Sequence, residues 1–208
     1  RDSSTSRGLG DVYKRQAFYR DIRQINEIGV VDTLKGIEAA TLSDNFWDVK
    51  VVQDLAYTST INPTYLVYLA AQVYFKDTSL LSHNILVSDL IELAGDVHHI
   101  FPKEYLKSND FSRNLYNQNA NYAYLDTQVN KSIGKKAPNV YFAEAIKQCD
   151  TKQITCGSIT DIDLLKANLT ANCIPLEVCN MDYTNYEKFL NERRKLMAKK
   201  IRGYYISL

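Results

Sequence analysis

Histidine is scarce in this chain: 208 residues include three, and two of them stand side by side in "GDVHHIFPKEYL", Gly95 to Leu106. Long apolar runs are missing too. A membrane-spanning helix needs roughly 18 consecutive apolar residues, and the longest candidate, "YLVYLAAQVYF", stops at Lys76. No basic start followed by an apolar centre marks a secretory signal. Charge of one sign is lacking: 25 Lys and Arg against 24 Asp and Glu leave a formal net charge of +1. That balance creates no global field demanding nucleic acid, although a local basic patch is compatible with it. The four cysteines, Cys149, Cys156, Cys173 and Cys179, fall in the last third at C-x6-C and C-x5-C spacings. They lack the close C-x2-4-C pairs of a structural zinc site and read as reduced thiols of a cytosolic protein.

What is present is enough apolar material, 45% of residues, to bury a core in one or two domains. The first sixteen residues are an exception. "SRGLGDVYKRQ", Ser6 to Gln16, has no apolar period and resembles the translation of a transposase mosaic-end adapter used in sequencing libraries. The natural sequence is therefore expected to begin near Ala17, as the tail of a longer protein, and residues 1–16 are set aside.

A helical region is expected over 17–94. Phe18, Ile22, Ile25 and Ile28 share one helical face before Gly29. Asn62 and Pro63 supply a cap and a first helical position. Gly95 ends a short helix that starts near Ser88 or Asp89. Over 95–150 the texture changes. "DVHHIF" and "NYAYLD" read as strands, and "APNVYFAEAIKQC" as a helix from Pro138. Residues 151–208 form a helical extension. In it Tyr186, Phe189, Leu190, Met197 and Ile201 make an apolar stripe, opposite a basic face of Lys188, Arg193, Arg194, Lys195, Lys199, Lys200 and Arg202.

A His pair ending a strand needs a chemical reason, because each imidazole requires a partner once buried. Phosphodiester hydrolysis offers one. A neutral His can deprotonate water near neutral pH, and a cation can stabilise charge on the phosphate. The strand–loop–strand–helix order places His98 and His99 at one strand end and Asn130 at the helix entrance. His83, in "LLSHN", has no matching partner and reads as a loop residue.

"DVHHIFP" followed by "NYAYLDTQVNKSIGKKAP" resembles the HNH ββα-metal nuclease motif. It looks most like the C-terminal nuclease region of GmrSD-type restriction endonucleases, whose tail "NCIPLEV…FLNERRKLMAKKI" also resembles. The resemblance implies an α+β, mainly helical fold with a ββα-metal core embedded among helices. It implies His99 as general base, His98 and Asn130 as metal ligands, and Asn121 as the residue bracing the loop behind the base. It implies DNA as substrate, an upstream NTPase-like domain as partner, and a restriction or phage-defence role in a bacterial or archaeal cytoplasm, with no membrane.

Many such sites carry Asp where this chain has His98. A His–Asn pair has no protein charge, so Mg²⁺ would bind weakly until a phosphate joins it, and Mn²⁺, Ni²⁺ or Zn²⁺ become competitive. Asp96 could restore a charge as ligand or outer partner. Lys131, Lys135 and Lys136 could hold phosphate, and the C-terminal basic face could follow a DNA backbone. Adjacent strand residues point to opposite faces, so the motif requires the strand to end or bulge at the His pair. The alternative readings are a catalytically degenerate HNH-fold module that binds nucleic acid or protein, and a zinc-stabilised interaction domain using the cysteines.

Overall fold

The computed structural model describes the backbone of residues 3–93 and 97–208, with side chains from residue 11 onward. The chain is α+β and mainly helical, and divides into two compact units, 1–46 and 47–208.

The first unit is a pair of helices, α1 (Ser3–Ile28) and α2 (Val30–Thr41), joined at Gly29. Helix α1 runs unbroken through Ala17, so the segment set aside at the N-terminus continues the same helix. Gly29 has φ +86° and ψ 164°, a combination essentially confined to glycine, and this lets the chain turn from one helix into the next. Thr33 is buried and its hydroxyl donates to the Gly29 carbonyl at 2.8 Å. The apolar stripe expected to pack inward does not. Phe18, Ile22 and Ile28 are 65%, 40% and 53% exposed, because two helices alone offer too little surface to cover it.

The second unit starts with α3 (Val51–Asp54), after a π-helical turn over Phe46–Lys50, and α4 (Pro63–Tyr74). The side chain of Asn62 accepts the Tyr65 N–H at 3.1 Å and Pro63 takes the first helical position, as the sequence predicts. Helix α5 (Val87–Glu92) begins one residue before the expected Ser88, with Asp89 accepting the Leu86 N–H at 3.1 Å. The expected stop at Gly95 lies outside the described residues.

Strands β1 (Val97–His99) and β2 (Tyr122–Tyr124) pair antiparallel with Val97 opposite Tyr124, His98 opposite Ala123 and His99 opposite Tyr122. The link between them is not a plain loop. It contains α6 (Lys103–Lys107), α7 (Arg113–Tyr116) and a 3₁₀ turn at Asn119–Asn121. The other edge of β2 is partly covered: Leu80 bridges to Leu125, and its N–H donates to the Tyr124 carbonyl at 3.0 Å. The Tyr124 carbonyl is thereby satisfied without a third strand.

Helices α8 (Thr127–Ile133), α9 (Pro138–Thr151), α10 (Ile162–Ala171) and α11 (Tyr186–Ile206) complete the unit. Asp126 and Asp161 cap α8 and α10 through their carboxylates. Asn130 therefore lies in its own short helix, not at the start of the helix from Pro138 as expected. Gly134, at φ +57°, ends α8, and Ala137, preceding Pro138, is held extended.

Helix α11 packs on α3 and α4 and buries Tyr186, Phe189, Leu190, Met197 and Ile201 along the predicted stripe. The basic face opposite it needs correction. Arg193 is 0% exposed and points inward, donating to the carbonyls of Ala120 (2.9 Å), Tyr122 (2.7 Å) and Asn172 (3.2 Å). Lys200 pairs with buried Asp77, Arg194 donates to Gln118 and Asn191, and Lys188 faces Glu192 at 3.8 Å. A helix can bury a cation when converging carbonyls replace its water, and helical spacing does not reveal that. All four cysteines are free thiols. Burial pushes Cys156 and Cys173 up to about 11, so both stay protonated and unreactive at neutral pH.

Candidate active site at the end of β1

The backbone after the His pair is tied on every side. The Ile100 N–H donates to the Asn121 carbonyl at 2.8 Å, and the Tyr141 hydroxyl of α9 donates to the Ile100 carbonyl at 2.8 Å. Asn121 is wholly buried. Its Oδ1 accepts the Phe101 N–H at 2.9 Å, and its Nδ2 donates to the carbonyls of Phe101 and Tyr116, both at 3.1 Å. An interior amide must spend its polar atoms this way. Asn121 thus positions the chain behind the site and has no atom left to meet a substrate. Phe101 anchors the same turn, with its ring centroid 5.0 Å from that of Tyr186 and 4.8 Å from that of Phe189. Beneath β2, Arg193 clamps the carbonyls on either side of Asn121.

The ladder is regular and β1 ends at His99. His99 shares a face with its cross-strand partner Tyr122, and alternation turns His98 to the other face, with Ala123. The His99 ring meets Tyr122 edge-on at 5.1 Å between centroids and Tyr116 at 6.2 Å. Its Nε2 lies 3.0 Å from Asn117 Oδ1. With Oδ1 accepting, Nε2 carries the proton and Nδ1 keeps its lone pair. Among the described residues Nδ1 has no hydrogen-bond partner. Partial burial holds the imidazole below its ordinary pKa. The Asn117 bond opposes this, and the charges of Lys103 and His98 add to the lowering. A half-buried, neutral and oriented imidazole is the result.

Asn130 is half-buried within the first turn and a half of α8, where its N–H donates to the Asp126 carbonyl at 2.9 Å. Asp96 lies outside the described residues. Lys136 is held by Glu144 of α9 at 2.7 Å, whereas Lys131 and Lys135 are exposed. His83 is exposed, with Nδ1 2.9 Å from the Ser158 hydroxyl.

Among the described residues no group of three or more His, Cys, Asp or Glu could enclose a metal ion. The donors expected from the sequence are the His98 imidazole, on the face of β1 opposite His99, and the Asn130 amide oxygen in α8. That set fits a divalent ion that keeps several waters and takes further oxygens from a phosphate, the usual habit of Mg²⁺ and Mn²⁺ at phosphoryl sites. It does not fit a closed structural site.

Sequence reading passed over Asn117, Tyr116 and Tyr122, which surround His99, and placed Arg193, which supports β2, on the basic outer face. The signal for the first was asparagine at 114, 117, 119 and 121, a density of amides that a surface loop does not require. Comparison with family models, with curated proteins and with solved structures finds no match to this chain.

Proposed function

We propose that this chain is a metal-dependent DNA endonuclease, the nuclease end of a restriction or phage-defence protein whose upstream part is an NTPase-like domain. The observation that carries the reading is His99. It is a half-buried imidazole at a strand end, with Nε2 held by Asn117 and Nδ1 without a partner among the described residues. Such a ring can take a proton from water that attacks a phosphodiester, and a positioned base of this kind contributes about 10²–10⁴-fold. Asn117 fixes the tautomer. Tyr116 and Tyr122 limit ring rotation and exclude water from two sides. Asn121 and Arg193 hold the backbone that carries the ring. A divalent cation, held by His98 and Asn130, would stabilise charge on the phosphate and the leaving oxygen when bound.

The test is cleavage of supercoiled plasmid in Mg²⁺ or Mn²⁺, with chelator as control. His99→Ala is expected to lower the rate by about 10²–10⁴ while the fold and duplex binding are retained. Cleavage by His99→Ala at the wild-type rate, or by wild type in chelator, would overturn the proposal.

A further inference from the structure

Two exposed cations, Lys103 and Arg113, stand close to the rings around His99, and among the described residues neither has an ion-pair partner. Lys103, at the start of α6, has its Nζ 6.0 Å from the centroid of Tyr116, the ring that meets His99 edge-on. Arg113, in α7, lies three residues before Tyr116 and therefore on the same helical surface. Among the described residues neither makes a salt bridge. Glu104, the carboxylate adjacent in sequence to Lys103, is taken by Lys107 at 3.0 Å. Of the lysines expected to hold phosphate, Lys136 is already paired with Glu144, whereas Lys131 and Lys135 are exposed.

Two unpaired like charges near one another repel unless an anion lies between them. Both cations lie within electrostatic reach of this cluster, Lys103 of the imidazole and Arg113 of Tyr122. We infer that Lys103 and Arg113 grip the phosphate backbone of duplex DNA on either side of the phosphodiester presented to His99. This rests on the nuclease reading for the identity of the ligand. Arg113 offers a planar fork suited to phosphate oxygens, and Lys103 a point charge. Their places in the short α6 and α7, which pack on one another between β1 and β2, set both cations on one pair of helices.

The experiment measures binding of a short fluorescein-labelled duplex by anisotropy across a salt series, in chelator so that nothing is cut. Each phosphate contact adds about 0.9 to the slope of log affinity against log salt. Lys103→Gln and Arg113→Gln are each expected to flatten the slope by about that amount. Lys103→Arg and Arg113→Lys should keep it, and Lys107→Gln, which removes an already paired lysine, should leave it unchanged. Slopes unaltered in both Gln variants, or no duplex binding by wild type, overturn the inference. His99-dependent cleavage with unaltered slopes sinks the grip and leaves the nuclease reading standing. Flattened slopes in a chain that never cuts in Mg²⁺ or Mn²⁺ support the grip and sink the nuclease reading.

Discussion

Residues 1–46 and 47–208 solve the same problem in opposite ways. In the first unit the helices bury little: Phe18, Ile22 and Ile28 stay exposed, and Thr33 satisfies its hydroxyl on its own backbone. In the second unit even polar and charged groups go inside, among them Asn121, Asn168, Asn172, Gln148 and Arg193. Gln148 is met by the loop at 155–159 just beyond its helix, and the others by backbone atoms from segments farther along the chain. Asn168, for example, accepts the Leu81 N–H at 2.9 Å and donates to the Ser79 carbonyl at 2.9 Å. Local hydrogen bonding sustains the helix pair, whereas convergent long-range bonding defines the unit that carries His99. Holding a half-buried imidazole such as His99 in one orientation requires the second arrangement.

The comparison makes graded predictions. The largest effect is expected at Arg193. Arg193→Leu leaves the Ala120 and Tyr122 carbonyls unpaired in the interior, which at about 1–3 kcal/mol per orphaned group plus lost packing should cost about 3–5 kcal/mol. A fall in the urea midpoint at unchanged m would show it. A loss under about 1 kcal/mol would mean that water replaces the guanidinium and that the interior is looser than the distances imply.

Gly157 comes next. A Cβ there would lie 2.3 Å from the Leu81 carbonyl oxygen, and φ is +78°. Gly157→Ala is expected to cost about 2–4 kcal/mol through clash and backbone strain together. Hydrogen exchange should show the loss at Ser158, whose N–H donates to the same Leu81 oxygen at 2.9 Å.

The smallest effect belongs to the first unit. Phe18→Ser with Ile22→Ser is expected to change the unfolding free energy by less than about 0.5 kcal/mol, as for ordinary surface positions. A loss of several kcal/mol on thermal or urea unfolding would show that the stripe is covered in solution and would erase the contrast between the units.

Much of the fold could be read from short stretches. Asn62-Pro63 starts α4, Pro138 starts α9, and the stripe from Tyr186 to Ile201 faces inward. "DVHHIF" and "NYAYLD" contain the two strands. The candidate site was named from a His pair at a strand end, with Asn121 and Asn130 farther on. Its closure was not. Asn117 reaches His99 across eighteen positions and Arg193 reaches Ala120 across seventy-three. Residue type alone does not distinguish a buried arginine from the solvated ones beside it.

By itself the sequence determined where helices start and stop, which residues alternate along the strands, and that two imidazoles close β1. These depend on side chains within about four positions, through caps, φ limits and periodicity. Tertiary structure alone decided which cations are internally paired, that Lys103 stays exposed beside Tyr116, that the Phe18 stripe stays uncovered, and that Asn117 meets Nε2 of His99. Each of those outcomes depends on which distant carbonyl, carboxylate or ring arrives in place of water, and hydrogen bonds and charges take their strength from that exchange.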